Sequence, residues 1–164
     1  MDEATKAQEA RAIFNTLCQT LDNMKWTYSP NPDKMVVRTG ARGEDLPMDL
    51  FLVVDPDMRV MCVRSPMPYQ IPQDTRDVVG VAVNIANLSM LNGCFEYDRD
   101  HGHLLFRAVA PFHNCQLSQE VCRYMVTLTC SMVDRFNDKF LSVAKGNMTL
   151  AAFKEFAFAP IATS

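Results

Sequence analysis

The sequence is short of the features that would announce a chemistry. Its six cysteines, Cys18, Cys62, Cys94, Cys115, Cys122 and Cys130, include no CxxC pair, so neither a zinc-ribbon spacing nor a dithiol redox motif is present. No apolar run approaches the about 20 residues a membrane-spanning helix needs, and the strongest stretch, residues 50–54, falls far below that length. No run of Lys and Arg interleaved with aromatics occurs, and the net charge is -3. That balance argues against a nucleic-acid partner, whose phosphates demand a basic surface. No GxxxxGK[ST] phosphate loop, internal repeat or low-complexity tract is found. The opening stretch MDEATKAQEARAIF is charged and polar, unlike a secretory leader. A cytosolic location, no membrane association and reduced thiols are therefore the expectation.

What is present suits an ordinary globular chain. Hydrophobic residues make up 48% and charged residues 21% of 164 positions, enough to build one core without staples. The cysteines sit singly in apolar segments, where free cysteine acts as a small hydrophobe. Eleven methionines fill core gaps or mark an adaptable binding surface; composition does not choose between the two.

Periodicity supplies the elements. Residues 2–23 carry Ala10, Ile13, Phe14, Leu17 and Leu21 at steps of three and four, the mark of an amphipathic helix. Short strands are expected at 26–28, 35–39, 49–54 and 59–64, with turns at 29–33 and 55–57 and a loop at 40–47. Pro66, Pro68 and Pro72 argue against helix or central strand over 65–74. Asp74 is then expected to cap a helix over 75–91 that is apolar over most of its circumference, hence buried on more than one side. A hairpin pairs 94–97 with 103–109. Ser118 opens a long helix to about 144, closed by Gly146, and Thr149 caps a last short helix over 150–158. The order predicts an α+β fold: an antiparallel sheet of about five strands with N-terminal, central and long C-terminal helices packed on it. Residues 1–147 form the expected domain, and 148–164 a short C-terminal helix and tail.

Several stretches together resemble the YbjN-like bacterial proteins, a family of sensory transduction regulators that share the fold of type III secretion chaperones. They are Trp26-Thr27-Tyr28 followed by Met35-Val36-Val37-Arg38, and Leu52-Val53-Val54-Asp55 turning into 60–64. Pro68-Tyr69-Gln70-Ile71-Pro72 leads to Arg76 and a helix bearing Asn84 and Asn87. Gly93-Cys94-Phe95-Glu96-Tyr97-Asp98, Gly102, Leu105-Phe106-Arg107 and Leu117-Ser118 complete the match, which spans residues 3–147. The resemblance implies a compact α/β sandwich that often pairs into a homodimer and binds another protein, as the secretion chaperones do. It supplies no catalytic residues and no cofactor.

His101 and His103 flank Gly102 beside Asp98 and Asp100, a set that could bind a transition metal but lacks a third ligand fixed by spacing. His113 and Cys115 lie two apart, as a Cys–His nucleophile would need, without a signature around either. Asn84 and Asn87 are expected to tie their helix to a neighbour. Met67, Tyr69 and Ile71, and near the C-terminus Phe153 and Phe156, are the residues expected to meet a protein partner or to pack on the chain's own core. The leading expectation is a non-enzymatic protein-binding module, chaperone-like or regulatory. The alternatives are a small-ligand or metal-sensing domain and an enzyme with a Cys–His site.

Overall fold

A computed structural model describes residues 2–160. Helix α1 (Glu3–Asn23) begins where the Asp2 carboxylate accepts the Thr5 amide at 2.7 Å, and it buries the expected stripe from Ala10 to Leu21. Four antiparallel strands follow: β1 (Tyr28–Asn31), β2 (Val36–Arg42), β3 (Pro47–Asp55) and β4 (Val60–Gln70). Helix α2 (Arg76–Leu88) crosses to the hairpin β5 (Cys94–Asp98) and β6 (His103–Pro111). Helix α3 (Gln119–Ala144) starts at Ser118, whose hydroxyl accepts the Val121 amide. It ends at Gly146, which adopts the positive φ of +71° that this helix stop requires. Helix α4 (Leu150–Phe158) is capped by Thr149 as expected.

The sheet has six strands in the order β1-β2-β3-β4-β6-β5, antiparallel throughout. The α+β class is as the pattern predicts, with one strand more. The helices share one face: α1 packs on β3 and α3, α3 on β4 and β6, α2 on β5 and α3, and α4 on α2 and α3. Among the described residues no helix is long and apolar enough to cross a membrane.

Three local expectations need correcting. The residues expected as a turn at 29–33 are partly strand: β1 runs through Pro30, which is tolerated because β1 is an edge. Of the segment 65–74 expected to be neither helix nor central strand, residues 65–70 form the far half of β4, between β3 and β6 in the sheet order, while Ile71 and Pro72 lie outside any element. Pro66 and Pro68 fit because pairing with β3 stops at Arg64, and the register with β6 shifts between Pro66 and Gln70. Asp74 does not cap α2. Pro72 starts a 3-10 turn over Gln73–Thr75, the Thr75 hydroxyl donates to the Pro72 carbonyl, and the helix starts at Arg76. Helix α2 does touch α3, α4 and β5, yet Val81 and Leu88 remain exposed, so its burial is not all round.

Candidate functional site

Strand periodicity gives the sheet two unlike faces. Leu50, Leu52 and Val54 of β3, Met61 and Val63 of β4, and Leu104, Phe106 and Ala108 of β6 point under the helices and are buried. The alternate residues point the other way, where no helix of the described chain lies. The strand registers align them in rows. One row runs Arg38–Phe51–Arg64–Arg107–Cys94 across β2, β3, β4, β6 and β5. The next runs Val36–Val53–Cys62–Val109. Adjacent members of a row are separated by the interstrand spacing of about 5 Å.

The first row is cationic around a single aromatic ring. The Arg38 guanidinium stands 5.5 Å from the Phe51 ring centroid. Arg107 pairs with Glu96 at 2.7 Å. Arg64 is exposed in the middle. Cys62, although on this face, is only 6% exposed. Burial pushes its thiol pKa up, and the nearby Arg64 and Arg107 charges oppose that shift. Beyond Arg64 the face continues into a depression of about 330 Å³ where β4 bulges away from β6, bordered by Pro66, Pro68, His103 and Leu105.

Both sheet edges are blunted. On β5 the Asn87 side chain takes the place of a neighbouring strand: its Nδ2 donates to the Phe95 carbonyl at 3.0 Å, and its Oδ1 accepts the Phe95 amide at 2.7 Å. On the opposite edge β1 is four residues long and contains Pro30, which offers no donor. The tie expected of Asn87 is therefore present, whereas Asn84 is exposed.

The five residues expected at a partner surface are placed as follows. Met67 and Ile71 are 6% and 1% exposed and belong to the core. Tyr69 is partly buried, and its hydroxyl donates to the Asn137 carbonyl of α3 at 2.9 Å; burial raises its pKa. Phe153 is fully buried against Phe136 and Phe140, with centroids 6.1 and 5.4 Å away. Phe156 is half-buried beneath Arg135, whose guanidinium lies 4.8 Å from the ring centroid and also bonds the Phe156 and Ala159 carbonyls. Helix α4 thus shares the core of the preceding residues. Positions 161–164 of the expected tail lie outside the described residues.

The two histidines of the hairpin turn have separate tasks. The His101 ring bonds Asp98 at 2.8 Å and holds that carboxyl below the usual carboxylate range, while His103 meets Gln70. Among the described residues no group of three or more His, Cys, Asp or Glu is placed to hold a metal. The turn itself is stapled by Arg76, which donates to the carbonyls of Ile71, Asp100 and His101. Gly102 is required there: its φ is +75°, and an added Cβ would collide with the Ile71 backbone. Of the loop expected at 40–47, residues 40–42 extend β2 and Pro47 opens β3, leaving 43–46 as the connection, where the Asp134 carboxylate accepts the Glu44 amide at 2.8 Å.

Cys115 is exposed, and its thiol faces the Pro111 carbonyl rather than His113. Burial pushes Cys122 and Cys130 up to about 11. At pH 8 an aromatic disulfide reagent should therefore react fastest with Cys115, more slowly with the partly buried Cys18, Cys94 and Cys130, and with the buried Cys62 and Cys122 only on unfolding; Cys115→Ser should abolish the fastest phase. A fast phase that survives the substitution would contradict this placement.

Sequence reasoning missed the open face. Each of Arg38, Phe51, Arg64 and Arg107 alternates with more buried neighbours on its own strand, but only strand pairing brings them into one row.

No protein-family model matches the chain, and no curated protein matches it in sequence. The crystal structure of YbjN from E. coli, a proposed transcription regulator, superposes with a TM-score of 0.54 at 11% identity, covering 81% of this chain and 90% of that one. The chain therefore has a fold similar to that of YbjN, and at this identity the likeness is one of fold.

Proposed function

We propose that this chain is a non-enzymatic binding module, regulatory or chaperone-like, that holds a protein partner on the open face of its sheet. The observation that carries the reading is a six-stranded sheet that, among the described residues, is covered by helices on one side only, with apolar and arginine side chains in adjacent rows on the other. Arginine and aromatic residues over a well-packed apolar base are the composition of protein–protein interface centres. The blunted edges disfavour strand addition, so the mode is packing across the face. The similarity to YbjN is compatible with a regulatory role, though fold alone does not assign one. Singly placed free thiols fit a reducing compartment, and the cytosol is the proposed setting.

The test is capture of a partner from extract of the source cells, followed by reconstitution from the two purified proteins. The expected result is a complex of fixed stoichiometry that survives gel filtration. Recovery of the bait alone, or a captured protein that does not reconstitute, would count against the reading.

A further inference from the structure

Resting on the binding reading above, we propose that the open sheet face takes an acidic protein segment with apolar side chains set between its carboxylates. The chemistry follows from the charges on that face. The chain as a whole carries -3, yet Arg38, Arg64 and Arg107 fall in one row. Glu96 engages Arg107, while Arg38 and Arg64 form no ion pair among the described residues. Asp49 lies one row beyond Phe51, opposite Gly40, and Asp55 lies two rows off on the other side, opposite Val60, its carboxylate accepting the amides of Asp57 and Met58 in its own turn. The centre of the face is therefore a local cationic strip on an anionic protein, which attracts carboxylates and repels basic segments. Beside the strip, Val53 is half-buried and Val109 is 41% exposed, so the partner's apolar side chains find contact one row along the strands, about 7 Å from its carboxylates.

Two other occupants fit less well. A single-stranded nucleic acid needs free aromatic platforms for its bases, whereas Phe51 is the one aromatic of the row and its ring already faces the Arg38 guanidinium. A second copy packed face to face would set this arginine row against itself, where like charges oppose one another.

The experiment uses the ¹⁵N-labelled full chain and three probes: a synthetic peptide alternating Asp or Glu with Leu and Phe, its Lys/Arg counterpart, and an oligothymidylate. The acidic peptide should shift the amides of Arg38, Phe51, Arg64 and Val109 and leave those of α1 and α4 in place. Its affinity should fall at least about tenfold in Arg64→Glu, and likewise in Arg38→Glu, which guards against misfolding of one variant. Equal binding of the basic peptide, tighter binding of the oligothymidylate, shifts centred on the helices, or silence at millimolar peptide would each overturn the proposal. Arg64→Glu in the capture experiment separates the two readings. A partner retained by that variant overturns the acidic-segment inference and leaves the binding module standing, whereas no partner for the unaltered chain removes the module itself.

Discussion

Replacing Phe153 by alanine is expected to lower the thermal midpoint by roughly 6–20 °C. The side chain is fully buried and touches Phe136, Phe140 and Phe156, so truncation removes apolar burial and leaves a cavity among rings that cannot all close in. Such truncations cost about 3–5 kcal/mol, and about 1 kcal/mol moves the midpoint of a domain this size by about 2–4 °C. Phe158, five residues on and exposed, is the control: its change to serine should leave stability within about 0.5 kcal/mol. Calorimetry of the two variants distinguishes a docked α4 from a loosely attached one. A midpoint drop of under about 2 °C for Phe153→Ala would mean the helix contributes little to the fold.

Asn87→Ala is expected to cost about 2–6 kcal/mol and to make the protein prone to association. Its side chain satisfies both backbone groups of Phe95, and Phe95 is buried. Alanine strands an amide and a carbonyl, each costing about 1–3 kcal/mol when water cannot replace the partner. It also uncovers part of the β5 edge, the kind of surface on which strands of other molecules pair. Denaturant titration should show the destabilisation, and light scattering should rise with concentration in the variant alone. Asn84→Ala, on the same helix but exposed, should do neither. An Asn87 variant as stable and monodisperse as the parent would show that α2 alone protects the edge.

Helices α3 and α4 were legible because Ser118 and Thr149 each accept an amide three residues on, and α1 and α3 because their stripes fall on the face they bury; the start of α2 was not, since a 3-10 turn stands where Asp74 was expected to cap it. The strands were legible as apolar alternations, but their limits were not. Pro30, Pro66 and Pro68 are turn signals in a local reading, and they become strand residues only because one flank of their backbone goes unpaired. The same limit explains the partner residues. Apolar side chains at spacing two, such as Met67, Tyr69 and Ile71, look alike whether they face a core or a partner. Which face of the sheet the helices cover is a property of the assembled layers, and no single strand contains it. The Arg38–Arg64–Arg107 row is invisible for that reason, as its members come from three strands well separated along the chain.

The strand order also shapes how the chain reaches its fold. Strands β1 to β4 form a meander of hairpins between sequence neighbours, and β5 with β6 forms another, so each block can zip from its own turn. The seam between β4 and β6 is different. It closes only when the whole of α2 and β5 has been looped out, an entropic cost met before the contacts there return anything. The seam holds Met61, Val63, Phe106 and Ala108 at the centre of the sheet, where α3 lies across both strands. Joining the two blocks along that line, with α3 laid over it, is therefore the step expected to set the pace of folding.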